Sequence, residues 1–314
     1  MAELAQTLVK DQISRVRYED LKPCYNAFID TRTPGSDQKE NFTIIGPGVS
    51  ENPEQYVHIV QPHGFNIGGA RQPPGCVNSQ HSHDTEEVFF VHSGTWVFML
   101  GETGQDAQRT LYPGDLISIP TQVFRGFENV GEDTGFLWAV LGQDDPGRVL
   151  WAPQVFEMAR DYGLILLDNG QLIDTQKGET VAPGQTPMPA TTRAQVYALQ
   201  RFSVRDLEAC CISADTSQRW RSLIGPDAPI NRPHGFVIDQ LHLAAGAHEA
   251  GGYFAAPEVL FVHTGELMVT SDSGDIVLGA GDTASIPPGA ERAYIATGHR
   301  QVTAIRVRGD QVPA

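Results

Sequence analysis

The chain repeats itself, and that repetition limits its fold more than any other feature. "QPHGFNIGG", from Gln61 to Gly69, returns as "RPHGFVIDQ", from Arg232 to Gln240. "TIIGPG" (Thr43 to Gly48) returns as "SLIGPD" (Ser222 to Asp227), and "VRYEDLKP" and "FSVRDLEA" share the pairs Asp20-Leu21 and Asp206-Leu207. Downstream, "PGDLISIPTQVFR" (Pro113 to Arg125) answers "AGDTASIPPGAER" (Ala280 to Arg292). The spacing from His63 to Glu87 equals that from His234 to Glu258, with no insertion. A duplicated chain must solve one folding problem twice, and 314 residues leave each copy enough length for its own core. The expected organisation is a first copy with an N-terminal arm over 1–150, a connecting segment over 151–192, and a second copy over 193–314. The connecting segment opens with helical spacing (Val155, Phe156, Met158, Ala159, Leu164) and continues as Pro/Gly/Thr-rich linker.

Within each copy short apolar runs are bounded by Gly, Pro and Asp. "EVFFVHSGTWVFML" puts Glu87, Phe89 and Val91 on one face and Val88, Phe90 and His92 on the other. "DLISIP", "GFLWAVLG", "ELMVTS" and "TAIRVRG" have the same texture, which predicts all-β sandwiches or barrels. Adjacent large residues such as Phe89 and Phe90 predict strands covered on both faces. A formal charge of −16 argues against nucleic acid and anionic membrane surfaces as partners, because binding phosphate needs a basic face. Cys24, Cys76, Cys210 and Cys211 lack CxxC spacing, no run is apolar enough to span a bilayer, and the N-terminus has no apolar signal core. A cytoplasmic setting is the expectation.

The chemistry concentrates in "HSHDTEEVFFVHSG", His81 to Gly94. His81 and His83 lie two apart and so share one side of a strand. Glu87, four further on, reaches that side if the strand continues past a kink at Asp84-Thr85. Two imidazoles and a carboxylate around one space suit Fe(II), Mn(II), Ni(II) or zinc, with positions left open for water or substrate.

Gly75, five residues, His81-Ser-His83, three residues, Glu87, six residues and Gly94 resemble the first signature motif of the cupins. "GDLISIPTQVFRGFEN", Gly114 to Asn129, resembles the second. With the duplication, the chain is similar to a bicupin. The resemblance implies two tandem double-stranded β-helix barrels with a few short helices. It also implies His81, His83 and Glu87 as metal ligands, and a chemistry left open among dioxygenases, decarboxylases, isomerases, epimerases and storage proteins. The family's third histidine is replaced by Arg125, and a glycine of the second motif by Gln122. A guanidinium has no lone pair for a metal, but it can orient a carboxylate ligand or clamp an anionic substrate.

The second copy has Gly252 and Phe254 where His81 and His83 stand, and keeps Glu258 and Arg292. It cannot hold a metal in the family's manner, and a buried ion pair is expected there instead. By the same register Arg125 could simply hold Glu87. His63 and His234 recur in both copies and are expected to be structural, as are His92 and His263. Three readings follow. The first is a non-haem dioxygenase, with Fe(II) the leading metal and Arg125 its catalytic residue, acting on a small anionic enol, phenol or hydroxy acid. The second is a metal-assisted isomerase, lyase or hydrolase, and the third a metal-free binding or structural protein. Copy two is expected to support copy one by packing and homodimer formation.

Overall fold

Alternating strands that bury both faces have to pair into sheets that cover one another, and both halves of the chain do so. The computed structural model describes residues 13–272 and 274–310. They fall into two units, Lys22–Ala214 and a second formed by the chain up to Leu21 together with Asp215 onward.

In the first unit a seven-stranded sheet runs, in spatial order, Cys211–Ile212, Leu116–Ile119, Glu87–Ser93, Gly135–Gly142, Phe65–Gln72, Glu40–Ile45 and Val57–Ile59. A five-stranded sheet runs Val149–Trp151, Val77–His83, Arg125–Asn129, Trp96–Leu100 and Ala107–Leu111. One apolar cluster joins them, with Phe89, Val91, Ile117 and Leu137 from the larger sheet meeting Trp96, Phe98, Phe127 and Leu111 from the smaller. The second unit repeats the order. Its six strands are Ser14–Val16, Thr283–Ile286, Glu258–Thr264, Val302–Gly309, Phe236–Leu243 and Trp220–Ile224. Its four-stranded sheet is His248–Gly252, Arg292–Ala296, Leu267–Ser271 and Ile276–Leu278. The all-β, twin-barrel expectation holds, and Val88, Phe89, Phe90 and Val91 are all buried, as adjacent large residues predict.

The division of the chain differs from a simple cut between copies. The arm strand Ser14–Val16 pairs with Thr283–Ile286 of the second barrel, and Tyr18 N–H donates to Asp282 Oδ1 at 2.9 Å. Conversely, Cys211–Ile212 pairs with Ile117 and Leu116 of the first barrel. The helix before it, Val204–Ala209, buries Leu207 in that barrel's core, held at its start by a Ser203–Asp206 capping box. The physical reason is the sheet edge: Leu116–Ile119 and Thr283–Ile286 would each leave a row of backbone groups unpaired, and a strand from outside the copy's own motif block covers each. The connecting segment is also more ordered than its composition suggests. After helix Pro153–Asp161, which buries Val155, Phe156 and Ala159, come the strand pair Leu164–Leu166 and Leu172–Asp174 and the helix Arg193–Ala198.

The replaced glycine leaves a trace in the backbone. Gln122 has φ 58°, a left-handed conformation that a side chain disfavours, while its counterpart in the second copy is Gly289 with φ 84°. A non-glycine residue pays about 1–2 kcal/mol there, part of which glycine gives back through unfolded-chain entropy. Gln122→Gly is therefore expected to stabilise the first barrel by about 0.5–1 kcal/mol, read as a higher urea midpoint at unchanged m-value.

Candidate metal centre

His81 and His83 sit on Val77–His83 in the five-stranded sheet, whereas Glu87 is the first residue of Glu87–Ser93 in the seven-stranded sheet. The sequence expectation of one kinked strand is corrected: the chain bends at Asp84–Glu86 and changes sheets. Thr85 Oγ1 donates to the Pro146 carbonyl and Arg148 N–H to Asp84, which anchor the bend. The even spacing predicted the right meeting for the wrong reason, because the imidazoles and the carboxylate approach from opposite walls of the barrel.

All three side chains are buried, and one donor atom from each lies within 4.8 Å of the others. His83 Nε2 is 3.5 Å from Glu87 Oε1. His81 Nδ1 lies 2.7 Å from the Ser79 carbonyl, which can only accept, so Nδ1 carries the proton and Nε2 keeps its lone pair. Ser79 is held in turn, its N–H donating to Asp30 Oδ2 at 3.0 Å. Asp30 forms a fully buried ion pair with Lys39, whose ammonium also donates to Asn78 Oδ1 at 3.0 Å. Sequence reasoning missed Asp30 and Lys39; no spacing rule links them to His81.

Arg125 pairs in register with His81, is fully buried, and brings Nε to 3.5 Å from Glu87 Oε2. Its Nη2 donates to the Pro120 carbonyl at 3.2 Å, while Nε and Nη1 have no hydrogen-bond partner among the described residues. The Glu87–Arg125 contact is thus a charge pair without a hydrogen bond. Glu87 Oε2 and His83 Nδ1 are likewise buried and unpartnered. Burial pushes the Glu87 carboxyl up to about 7, against the pull of Arg125. Burial, then the Arg125 charge, lowers His81 to about 3 and His83 well below the usual imidazole range. Both imidazoles are therefore neutral at physiological pH, the form a metal needs.

The centre opens on a cavity of about 80 Å³. His81, His83 and Glu87 line one part of it, and Phe28, Phe89, Phe127, Trp151, Asn41 and Asn78 are among the other walls. Trp151 lies 5.3 Å from the His81 ring, and its Nε1–H donates to the buried Glu51 carboxylate at 2.6 Å. Arg125 is not among the lining residues; its guanidinium lies against the Glu87 carboxylate and the Pro120 carbonyl. The donor set fits a divalent transition ion: two neutral imidazoles, one of fixed tautomer, and a carboxylate with an unsatisfied oxygen.

The second barrel shows what this position becomes without imidazoles. Glu258 accepts a 2.6 Å hydrogen bond from Tyr294 and lies 3.7 Å from Arg292 Nε and 4.0 Å from Arg306 Nη1. The residue at the Tyr294 position in the first barrel is Phe127, which offers Glu87 no donor. The expected Glu258–Arg292 pair is therefore present, with more partners than the sequence suggested. His63 and His234 each contact the carbonyl two residues back at 2.7 Å, through Gln61 and Arg232, in keeping with a structural role.

A cupin domain model matches residues 70–140 and 243–307, one stretch in each copy. A germin-like protein of Arabidopsis thaliana, subfamily 1 member 4, is 30% identical over 125 residues, covering 36% of this chain and 54% of the relative. Subfamily 1 member 7 is 33% identical over 88 residues, covering 26% and 38%. The chain thus matches only about half or less of those relatives' lengths. Among solved structures, a mutant of Bacillus subtilis oxalate decarboxylase superposes with a TM-score of 0.60 at 11% identity, over 98% of this chain and 80% of that one. The same enzyme, in work on its Mn(II) centres, gives the same figures. Procruciferin, an 11S globulin of Brassica napus, superposes at 0.58 and 15% identity, over 96% and 86%. At such identities the likeness shows the fold alone. No helix among the described residues is long and apolar enough to cross a membrane.

Because Glu87 gives up its proton less readily folded than unfolded, its contribution to stability is fully present below about pH 4.5 and drains away as pH rises through about 7. In metal-free protein, wild type is expected to lose stability relative to Glu87→Gln between pH 5 and 8. Urea unfolding of both proteins in chelator, across that range, reads the slope.

Proposed function

This chain belongs to the cupin superfamily as a bicupin, with one cupin domain in each half, and on that premise we propose that its first barrel is a metal-dependent catalytic site for a small anion. The observation that carries the reading is the set of three buried donors, His81, His83 and Glu87, converging at the wall of a cavity. Two histidines and one carboxylate with open positions are the donor set of non-haem Fe(II) oxygenases, and this supports Fe(II) and dioxygenase chemistry first. Mn(II) with a lyase or decarboxylase reaction is the second reading, supported by the shared fold with an enzyme described with Mn(II) centres.

When bound, the ion supplies a Lewis acid and open coordination positions for substrate and O2. The remaining work falls to the chain. Ser79, itself anchored on Asp30, holds His81 in the tautomer that keeps Nε2 free. Arg125 favours the ionised form of Glu87 and keeps its charge beside the two imidazoles. With both imidazoles neutral, Glu87 at −1, Arg125 at +1 and a dication in place, the centre carries a net +2, which draws in an anionic substrate. Of the two roles expected for Arg125, orienting the carboxylate is the one its contacts support, since the guanidinium lies against Glu87 and a backbone carbonyl. Phe28, Phe89, Phe127 and Trp151 give the cavity apolar walls, and its volume of about 80 Å³ suits a small substrate.

Protein purified without a histidine tag is expected to bind about one Fe(II) or Mn(II) per chain, and the His81→Ala/His83→Ala variant none, by elemental analysis. Substrate-dependent O2 uptake by the Fe(II) form supports the dioxygenase, while turnover without O2 uptake points to the lyase reading. Failure to take up any transition ion after reconstitution overturns both. At pH 6, ion binding is expected to release about one proton, from Glu87 alone, because both histidines are already neutral. Calorimetry in two buffers of different ionisation enthalpy reads that number.

A further inference from the structure

The second barrel has lost its imidazoles but has gained positive charge. Strand Val302–Gly309 places Arg306 and Arg308 two apart, and its register against Glu258–Thr264 sets Arg308 opposite Glu258. In the first barrel the corresponding residues are Leu141, opposite Glu87, and Ala139, and both line the cavity there. Arg292 adds a third guanidinium from the facing sheet.

Counting charges decides what this group lacks. Asp239 Oδ2 accepts from Arg306 Nη2 at 2.8 Å and from Arg308 Nη2 at 3.0 Å, so one oxygen serves two guanidinium groups. Glu258 lies near Arg292 and Arg306 and also accepts from Tyr294. Glu249, on the neighbouring strand His248–Gly252, is engaged by Arg219 and by the Trp220 indole. Among the described residues, three guanidinium groups therefore face two carboxylates, a net +1. The rings of Phe254 and Trp220 lie against them, with Arg308 at 4.3 Å and Arg292 at 5.0 Å from Phe254, and Arg306 at 3.9 Å from Trp220. Ring faces soften the cost of burying cations but remove no charge. Arg292 has no exposed side chain, yet among the described residues its Nε and Nη2 have no hydrogen-bond partner, nor does Nε of Arg306 or of Arg308. The Arg306 and Arg308 side chains keep 11% and 22% of their surface exposed, which leaves an approach from solvent.

We propose that the second barrel is an oxyanion-binding site, in which Arg306 and Arg308, backed by Arg292, hold a small carboxylate or phosphate. Planar guanidinium forks suit an anion with two or three oxygens, whereas a halide would satisfy one donor at a time. The site needs no metal and shares no residue with the first barrel.

Chelator-treated full-length protein titrated by calorimetry with inorganic phosphate, and separately with acetate, tests it. At least one is expected to bind at one site per chain, and to weaken as NaCl is raised. Arg308→Gln, which removes the charge but keeps a polar side chain, is expected to weaken binding at least tenfold with an unchanged circular dichroism spectrum. Tighter phosphate than acetate binding identifies a phosphate site, and the reverse a carboxylate site. A second reading needs no variant: wild-type crystals soaked in selenate are expected to show anomalous density between Arg306 and Arg308. No binding of either anion, equal binding by Arg308→Gln, or a selenate peak only elsewhere overturns the proposal and leaves the arginines as barrel filling. Loss of transition-metal binding in the first barrel would leave these outcomes unchanged, so the two readings fail separately.

Discussion

One carboxylate organises the first barrel. Glu87 is buried at the start of a strand, and an uncompensated charge there would cost several kcal/mol. Its neighbours are two imidazoles on the opposite sheet and a guanidinium 3.5 Å away that makes no hydrogen bond to it. Nothing around Oε2 satisfies that oxygen, and the high carboxyl pKa expresses the same deficit. A dication held by the imidazoles and the carboxylate would remove that deficit, which ties the proposed metal to the unsatisfied Glu87 oxygen. In that proposal Arg125 has the narrower task of favouring the anion over the acid.

The second barrel answers the same constraint with different residues. Glu258 keeps the register of Glu87, but Tyr294 stands at the Phe127 position and supplies the missing donor. Phe254 replaces an imidazole, and Arg306 and Arg308 occupy positions that line a cavity in the first barrel. One copy thus keeps space and lone pairs, while the other exchanges both for guanidinium groups and aromatic faces. A duplicated fold allows this because each barrel encloses its own core, so polar residues can diverge in one without unfolding the other.

Much of this was legible in the linear chain, but unevenly. His81, His83 and Glu87 could be picked out because ligand-type residues at even spacing stood against a copy that lacked them. Their joint placement was right, yet the route was not, since spacing alone does not show that the chain changes sheets at Asp84–Glu86. Arg125 was visible as a substitution, whereas its distance from the cavity depended on the facing strand. Asp30, Lys39 and Glu51 carried no signal: their links to the site run through Ser79, Asn78 and Trp151, which lie 49, 39 and 100 residues away. The edge strands Ser14–Val16 and Cys211–Ile212 are too short for periodicity to reveal, and their exchange answers to unpaired backbone at a sheet edge.

The sequence by itself determined that there are two barrels of one kind, that their strands are buried on both faces, and that only the first keeps the pair of histidines beside its glutamate. Those facts are local: they follow from repetition, alternation and residue type. Only the tertiary structure decided which strand closes which sheet, which wall each ligand stands on, and which charges lack partners. Pairing and burial are set by residues distant in the chain that meet in space, and the balance of a buried charge exists only once all its neighbours are in place.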